Sequence, residues 1–136
     1  MIRSYLWVGL GGGIGAVLRY SLSLIIPSQT FPWSFFVINL SGSLVIGVVM
    51  TLVIDYAILS QDARLFIAVG ILGGYTTFST FTYGLYHLLL QNLVGRSILY
   101  GAGSILGGLL ATVLGMSLAR AWIEWRQSES EDPDET

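Results

Sequence analysis

The sequence predicts an all-α membrane protein with four transmembrane helices, and the distribution of charge is the first reason. Of its 136 residues, 54% are hydrophobic and 10% are charged, whereas a soluble domain carries about 25% charged residues. No Lys, Arg, Asp or Glu occurs in the ranges 4–18, 20–54, 65–95 and 97–119. A soluble fold of this size must cover its surface with polar groups, while a membrane span needs about 20 apolar residues. The uncharged ranges therefore indicate membrane spans.

Helix breakers and charged residues divide the chain into four predicted spans. These spans are residues 4–26, 33–54, 64–90 and 97–122. The four tryptophans lie near span ends, where amphipathic rings prefer the headgroup level of a bilayer. We expect the spans to form one domain, residues 1–126. The acidic segment 127–136 has no apolar periodicity, and we expect it to be disordered.

Composition excludes several kinds of site. The chain has no cysteine and a single histidine, His87, so thiol nucleophiles, cysteine metal sites and multi-histidine metal sites are excluded within it. All six basic residues are arginines scattered along the chain, a pattern that does not track a nucleic-acid backbone. No nucleic-acid partner is expected. An enzyme is also disfavoured, because the sequence offers no nucleophile–base pair and no metal cluster.

The arginines also predict a topology. With four spans, Arg96 lies on one side of the membrane and four arginines lie on the other. Those four are Arg3, Arg64, Arg120 and Arg126. Because cytoplasmic loops carry an excess of basic residues, this asymmetry favours both termini in the cytoplasm.

The first span contains a glycine-rich segment that has two interpretations. Gly11, Gly13 and Ala16 match the G-x-G-x-x-A pattern of dinucleotide sites, but the required strand–turn–helix context and the following acidic residue are missing. Close helix packing explains the segment better, because Gly9 with Gly13 and Gly11 with Gly15 are pairs of small residues four apart.

Arg19 is a charge inside the first predicted span. Charges at this depth are costly and usually face a water-filled cavity or a charged partner. No acidic residue lies inside any predicted span, so a vestibule that attracts anions is the expected place for Arg19. Snorkelling of the guanidinium group to the membrane interface is the alternative.

Polar and small side chains recur every four residues in the second and fourth spans. They are Asn39, Ser43, Gly47 and Thr51 in the second span, and Ser104, Gly108 and Thr112 in the fourth. Residues four apart share one face of a helix, and such faces are common at helix–helix contacts in membranes. Asn39 favours a functional interpretation, because an unsatisfied amide in hydrocarbon is costly. Packing explains most of the fourth-span row, although its hydroxyls also suit a polar pathway.

The third span carries the most informative segment, Gly-Gly-Tyr-Thr-Thr-Phe-Ser-Thr-Phe-Thr at 73–82. Glycine and threonine are weak helix formers, and hydroxyls compete for backbone partners, so we predict that this helix is broken at mid-membrane. Non-helical backbone persists there only when it is buried in protein or lines a polar cavity, and its free carbonyls suit a cation. Phe78 and Phe81, three residues apart, are expected to face the same way. A threonine-rich packing helix is the alternative.

Three segments, taken together, resemble one known family. They are Gly-Gly-Gly-Ile-Gly-Ala-Val-Leu-Arg at 11–19, Val-Ile-Asn-Leu-Ser-Gly at 37–42 and Gly-Gly-Tyr-Thr-Thr-Phe-Ser-Thr-Phe at 73–81. The family that they resemble is that of the Fluc/CrcB fluoride channels. The third segment is the most specific of the three, and the resemblance covers all four spans and ends before the acidic tail.

The resemblance implies an assembly. Members of the family are antiparallel (dual-topology) dimers of four-helix subunits, with two fluoride pores and a central structural sodium ion. It implies that backbone carbonyls of Gly73 and Thr76 bind this sodium, two from each subunit. It also implies a place in the cell inner (plasma) membrane, among its lipids. A homodimer is expected, and a heterodimer with a paralogue is the alternative, because some members pair in that way.

The resemblance also implies a pathway for passive fluoride export. The implied pathway residues are Arg19, Asn39, Phe78, Ser79, Thr80, Phe81 and Thr112. The two phenylalanines are expected to turn their positive ring edges toward the anion. The amide and the hydroxyls are expected to supply the close donors that a small, strongly hydrated anion needs, and the arginine is expected in the vestibule.

Three other functions compete with the fluoride channel. A small four-span proton-coupled exporter needs an ionisable carboxyl inside a span, but Asp55 and Asp62 lie at loop level and Glu124 lies past the fourth span. A non-transporting assembly subunit leaves the threonine-rich break unexplained. A non-conducting partner subunit of a heterodimeric fluoride channel stays open as an alternative.

Overall fold

The computed structural model describes residues 2–28 and 30–131 of the chain, and all of the regular structure in them is helical. The helices are α1 (Ile2–Ile25), α2 (Trp33–Ile54), α3 (Gln61–Arg64), a π-helical segment (Leu65–Leu72), α4 (Gly73–Tyr75), α5 (Phe78–Leu90) and α6 (Val94–Glu131). Within this part of the chain, four helical segments are long and apolar enough to cross a membrane: Ile2–Ile25, Trp33–Ile54, Gln61–Leu90 and Val94–Glu129. The predicted all-α membrane fold with four spans is confirmed.

The fourth helix corrects the predicted disordered tail. Helix α6 continues to Glu131, so residues 127–131 are helical. The reason is local, because this stretch contains the good helix formers Gln and Glu and meets no proline before Pro133. The rest of the predicted tail, residues 132–136, lies outside the described residues.

Two helix pairs build the bundle. Helix α1 packs along the π-helical segment and α4, while α2 packs along α6, and α5 also leans on α6. A small apolar core of Val49, Ala68 and Leu72 joins α2 to the third span. The third span therefore lies between α1 and α2, where polar groups on α2 can reach it.

Glycines bring the backbones of each pair into direct contact. A Cβ atom at Gly11 would collide with the carbonyl oxygen of Phe66, and one at Gly15 would collide with that of Ile71. In contrast, a Cβ atom at Gly9 or Gly13 would meet nothing within 4 Å. Of the two small-residue pairs in the first span, the structure therefore uses the Gly11 and Gly15 pair for packing within the subunit.

The second helix pair uses glycine in the same way. A Cβ atom at Gly47 of α2 would collide with the carbonyl oxygen of Thr112, and one at Gly115 of α6 would collide with that of Leu44. Each helix thus presents a glycine to the backbone of the other. Gly47, which belongs to the predicted row on the second span, is therefore a packing residue.

Ion pairs join the helix ends at one side of the bundle. Arg3 at the start of α1 pairs with Asp62 of α3, and Arg120 of α6 pairs with Asp55 at 2.9 Å. At the other side, Nη1 of Arg96 donates to the carbonyl oxygen of Thr30 at 3.3 Å. Exposed pairs of this kind contribute only about 0.2–1 kcal/mol each, so packing of the helices determines the fold.

We predict that Gly15→Ala destabilises the protein and that Gly9→Ala does not. The added methyl at position 15 meets backbone, which cannot move aside without separating α1 from the third span, and overpacking of this kind costs about 1–3 kcal/mol. Position 9 has open space, so its alanine only gains helix propensity. Thermal unfolding of both variants in detergent measures the difference. Equal melting temperatures would contradict the backbone contact.

Candidate functional site

The third span is interrupted where the sequence contains its threonine pair. Helix α4 ends at Tyr75, and Thr76 (φ −83°, ψ 150°) and Thr77 (φ −154°, ψ 129°) are extended before α5 begins at Phe78. We call these two extended residues the interruption. Thr76 closes the preceding helix twice, because its N–H and its hydroxyl both donate to the carbonyl oxygen of Leu72, at 2.9 and 2.8 Å. This geometry is consistent with the predicted break.

Asn39 on α2 is paired with the backbone of the interruption. The N–H of Thr77 donates to Oδ1 of Asn39 at 3.0 Å, and Nδ2 of Asn39 donates to the carbonyl oxygen of Thr77 at 3.3 Å. An amide side chain offers a donor and an acceptor side by side, as a neighbouring peptide group does. Asn39 therefore satisfies both backbone groups of Thr77 outside the helical pattern.

Two backbone carbonyls next to this pairing are left without a donor. In a continuous helix, the N–H of Thr77 would donate to Gly73 and that of Thr80 would donate to Thr76. Across the described residues, no hydrogen bond reaches the carbonyl oxygen of Gly73 or of Thr76. The interruption thus leaves two neutral oxygen ligands unused.

Helix α2 also provides the surface against which the interruption packs. A Cβ atom at Gly42 would overlap the Cγ2 methyl of Thr76 and would lie 3.2 Å from Cδ1 of Tyr75. The hydroxyl of Ser41 lies 2.9 Å from that of Tyr75. Glycine at position 42 is therefore required by close approach, and it lets α2 contact the residues on the N-terminal side of the interruption.

An open cavity of about 450 Å³ lies beside the interruption. Of the site residues predicted from the sequence, it is lined by Asn39, Gly73, Thr76, Phe78 and Phe81. Thr77 and Ser104 also line it, and its lining contains no acidic residue. The structure therefore brings five of the predicted site residues together around one space.

The two phenylalanines form an aromatic wall at this cavity. Their ring centroids are 5.6 Å apart with an interplanar angle of 43°, and Phe78 is 77% exposed. Phe81 is backed by Tyr100, at a centroid distance of 5.5 Å. Phe78 is therefore the exposed ring of the pair, while the Phe81 ring packs against Tyr100.

Two hydroxyls near the wall are buried without a hydrogen-bond partner in the described part of the chain. They belong to Tyr100 and Ser104, which are one helical turn apart on α6. Tyr100 is fully buried, and a Cβ atom at Gly84 would lie 3.1 Å from its hydroxyl oxygen. Ser104 was in the predicted fourth-span row, but Tyr100 was missed. The signal for it was its position four residues before Ser104.

The backbone oxygens beside the interruption are of a kind that suits a monovalent cation. Among the described residues, no group of three or more His, Cys, Asp or Glu side chains could hold a metal ion. In the same part of the chain, Gly73 and Thr76 line the cavity, and their carbonyl oxygens accept no hydrogen bond. Calcium and magnesium sites in proteins use carboxylates. Neutral carbonyl oxygens therefore suit a singly charged hard cation better than a divalent one.

Comparison with known families shows to which family the chain belongs. The family described as CrcB-like protein, Camphor Resistance (CrcB), matches residues 6–116. The chain belongs to the CrcB family. This match includes every site residue predicted from the sequence, from Arg19 to Thr112.

Curated relatives in this family carry a common name, "Fluoride-specific ion channel FluC". A relative from Thermus thermophilus is 43% identical over 125 residues, covering 90% of this chain and 98% of the relative. One from Chloroflexus aurantiacus is 40% identical over 122 residues, covering 88% and 97%. One from Chlorobium phaeobacteroides is 39% identical over 119 residues, covering 86% and 93%. The CrcB family and the four apolar spans identify a multi-pass membrane protein of ion-channel type, not an enzyme.

The remaining residues predicted for the CrcB site lie outside the lining of the open cavity. The hydroxyl of Ser79 is 2.7 Å from that of Thr77, and the hydroxyl of Thr80 donates to the carbonyl oxygen of Thr77 at 3.4 Å. Both therefore support the first turn of α5. Thr112 is farther away, and its hydroxyl donates to the carbonyl oxygens of Ser43 and Gly108 at 3.1 and 3.0 Å, so it joins α6 to α2.

Arg19 is half-buried in this CrcB-family fold, on the same helix as the packing glycines. Its Nε atom is buried and has no acceptor among the residues that the structure describes. Arg19 is therefore a partly buried cation without an acidic partner for its Nε, and it lies one helical turn beyond Gly15. This environment agrees with an anion-attracting position rather than with a structural ion pair.

We predict that Tyr100→Phe stabilises the protein. A buried hydroxyl without a partner costs about 1–3 kcal/mol, and the phenylalanine ring preserves the contacts with the neighbouring aromatic rings. The melting temperature should therefore rise. Tyr83→Phe removes a hydroxyl from an exposed ring and should change it little. A lower melting temperature for Tyr100→Phe would show that the hydroxyl has a partner.

Proposed function

We propose that this chain forms a fluoride-selective channel through which fluoride leaves the cell passively. The single observation that carries the proposal is the open cavity, where an aromatic wall, an amide and hydroxyls meet without any acidic residue. Relatives with about 40% identity over most of the chain are named fluoride-specific ion channels. Fluoride, rather than a larger organic substrate, is therefore the transported species that we infer.

The chemistry of the cavity suits a small anion. Fluoride is strongly hydrated, so its dehydration requires close donors. Asn39 uses one of its two N–H groups on Thr77, which leaves the second for an anion. The hydroxyl of Ser104, which lines the cavity and is unpartnered among the described residues, adds another donor. The edges of the Phe78 and Phe81 rings are positive and attract an anion without binding it as tightly as a fixed charge does. Such weak, consecutive sites allow conduction.

The proton-coupled exporter is disfavoured by where the acidic residues lie. Asp55 is paired with Arg120 and Asp62 with Arg3, at the helix ends. Neither carboxylate lines the open cavity. A coupling site needs an ionisable group on the transport path, and the paired aspartates do not supply one.

We propose that two copies of the chain assemble in antiparallel orientation within the lipid bilayer. The cavity is open in one subunit, so a second subunit is needed to enclose a pathway. A homodimer is the simplest assembly, and a heterodimer with a paralogue is the alternative. The largely apolar exposed faces of the spans fit a lipid environment around the dimer.

We propose that a structural sodium ion lies between the two subunits. The carbonyl oxygens of Gly73 and Thr76 would hold it, two from each subunit. Bound there, sodium would supply a fixed positive charge that joins the subunits without being transported. The lack of hydrogen-bond donors to these two oxygens within the described residues supports this assignment.

Fluoride efflux from liposomes that contain this chain alone tests the channel, and Asn39→Asp tests the site. The change replaces a donor by an anion beside the path, and a like charge at 4 Å costs about 4 kcal/mol at an effective dielectric constant of 20. We expect efflux from the wild type and none from the variant.

Asn92→Asp, the same change in an exposed turn, is the control and should leave efflux unchanged. Wild-type rates for Asn39→Asp would refute the pathway, and a silent wild type that becomes active with a paralogue would indicate the heterodimer.

Replacement of sodium by a bulky organic cation should weaken the dimer, and Gly73→Val should weaken it more. A Cβ atom at Gly73 meets nothing within 4 Å in its own subunit, so the valine is tolerated by the subunit but obstructs the cation. Ligand binding stabilises an assembly by mass action. Gly95→Val, at another open position, is the control. Cross-linking yields that are equal with and without sodium would contradict the cation site.

A further inference from the structure

The side chain of Asn39 accepts a hydrogen bond from the N–H of Thr77, which in a continuous helix would donate to the carbonyl oxygen of Gly73. In an α-helix, the N–H of Thr77 belongs to the carbonyl oxygen four residues earlier, which is that of Gly73. Here that N–H donates to Oδ1 of Asn39 at 3.0 Å, while Nδ2 of Asn39 donates to the carbonyl oxygen of Thr77 at 3.3 Å. The oxygen of Gly73 loses its helical donor as a direct result.

The other nearby donor is also used elsewhere. A tighter turn would let the N–H of Thr76 reach Gly73, three residues earlier. Instead, this N–H donates to the carbonyl oxygen of Leu72 at 2.9 Å, and the Thr76 hydroxyl donates to the same oxygen at 2.8 Å. Both backbone donors that could satisfy Gly73 are thus committed, one within the third span and one to α2.

We propose that Asn39 is a positioning residue for the cation site. By holding the N–H of Thr77, it keeps the carbonyl oxygen of Gly73 available to a monovalent cation. This inference rests on the proposed sodium site. It goes further because it assigns the formation of that site to a side chain of α2, outside the cation's own ligands.

The physical basis is a competition for one oxygen atom. Without Asn39, the N–H group of Thr77 would lose its partner in a part-buried position, and an unsatisfied polar group away from water is costly. The N–H of Thr77 would then pair most readily with the carbonyl oxygen of Gly73, because the backbone is already helical at Gly73 (φ −64°, ψ −35°). Closure of the helix would then consume a cation ligand.

The surroundings of Asn39 fit this role. Gly42 lies one helical turn farther along α2 and receives the methyl group of Thr76. Asn39 therefore fixes the second residue of the interruption by hydrogen bonds, and Gly42 fixes the first by close packing. Because energetic coupling between two sites is reciprocal, a bound cation should in turn strengthen the bond between Asn39 and Thr77.

The test is a sodium titration of dimerisation in detergent, with a bulky organic cation keeping the ionic strength constant. Asn39→Ala should raise the sodium concentration at half-maximal dimerisation by about 5-fold or more, the lower bound of typical coupling between sites. Thr51→Ala is the matched control on the same helix, because the Thr51 hydroxyl donates only within α2, to Gly47 at 2.9 Å. Its sodium midpoint should equal that of the wild type.

A second measurement uses the wild type alone, in case Asn39→Ala does not fold. Hydrogen exchange at the Thr77 amide should be slower in sodium than in the bulky cation, because the cation and Asn39 support the same backbone arrangement. The amide of Leu88, which is remote from the interruption and buried, serves as the internal reference. Equal exchange of Thr77 in both media would overturn the role of Asn39.

Fluoride efflux measured on the same preparations separates this inference from the proposed function. If Asn39→Ala abolishes efflux while its sodium midpoint equals that of the wild type, Asn39 acts on the anion alone and the positioning role is wrong. If the wild type conducts fluoride but shows no sodium dependence, the cation site and the role of Asn39 both fail, and the channel stands. A sodium-dependent wild type without efflux would refute a channel formed by this chain alone but not the positioning role.

Discussion

The structure depends on one requirement, that the backbone of an interrupted membrane helix must find hydrogen-bond partners inside the protein. Lipid offers none, so non-helical backbone survives only where neighbouring groups satisfy it. Asn39 meets this requirement at Thr77 with one acceptor and one donor. Because a single side chain does so from a different helix, the interruption, the cavity beside it and the unused carbonyl oxygens all depend on how α2 lies against the third span.

Glycine contacts determine that placement. The backbones of α1 and the third span touch at Gly11 and Gly15, and α2 touches α6 at Gly47. Contacts between backbones leave little freedom to slide, since no flexible side chain lies between them. The third span, paired with α1, also packs against α2, where Gly42 makes a close contact with Thr76. The polar groups at the interruption are thus held by apolar packing that extends the length of the bundle.

The sequence was sufficient for the four spans, because uncharged runs of membrane length leave few other solutions. It also indicated the interruption, since weak helix formers and hydroxyls cluster there. It could not show that Asn39 pairs with Thr77, because the two are 38 residues apart and only tertiary packing brings them together. The helical continuation to Glu131 and the burial of Tyr100 were missed for related reasons. Residues 127–131 are helical because helix propensity outweighed the acidic charge of this segment. Tyr100 is buried against Gly84, which lies on another helix and is distant in sequence.

The interruption gives one short segment partial charges of both signs. The end of a helix exposes carbonyl oxygens, and the start of the next exposes N–H groups, so the two ends carry partial charges of opposite sign. In this chain, the oxygens of Gly73 and Thr76 belong to the first kind, and the first turn of α5, with its hydroxyls and Phe78, belongs to the second. Asn39 lies between them and contributes to both sides, its oxygen to an N–H group and its nitrogen to a carbonyl oxygen. In a continuous helix these carbonyl and N–H groups would hydrogen-bond to one another, and neither partial charge would remain exposed.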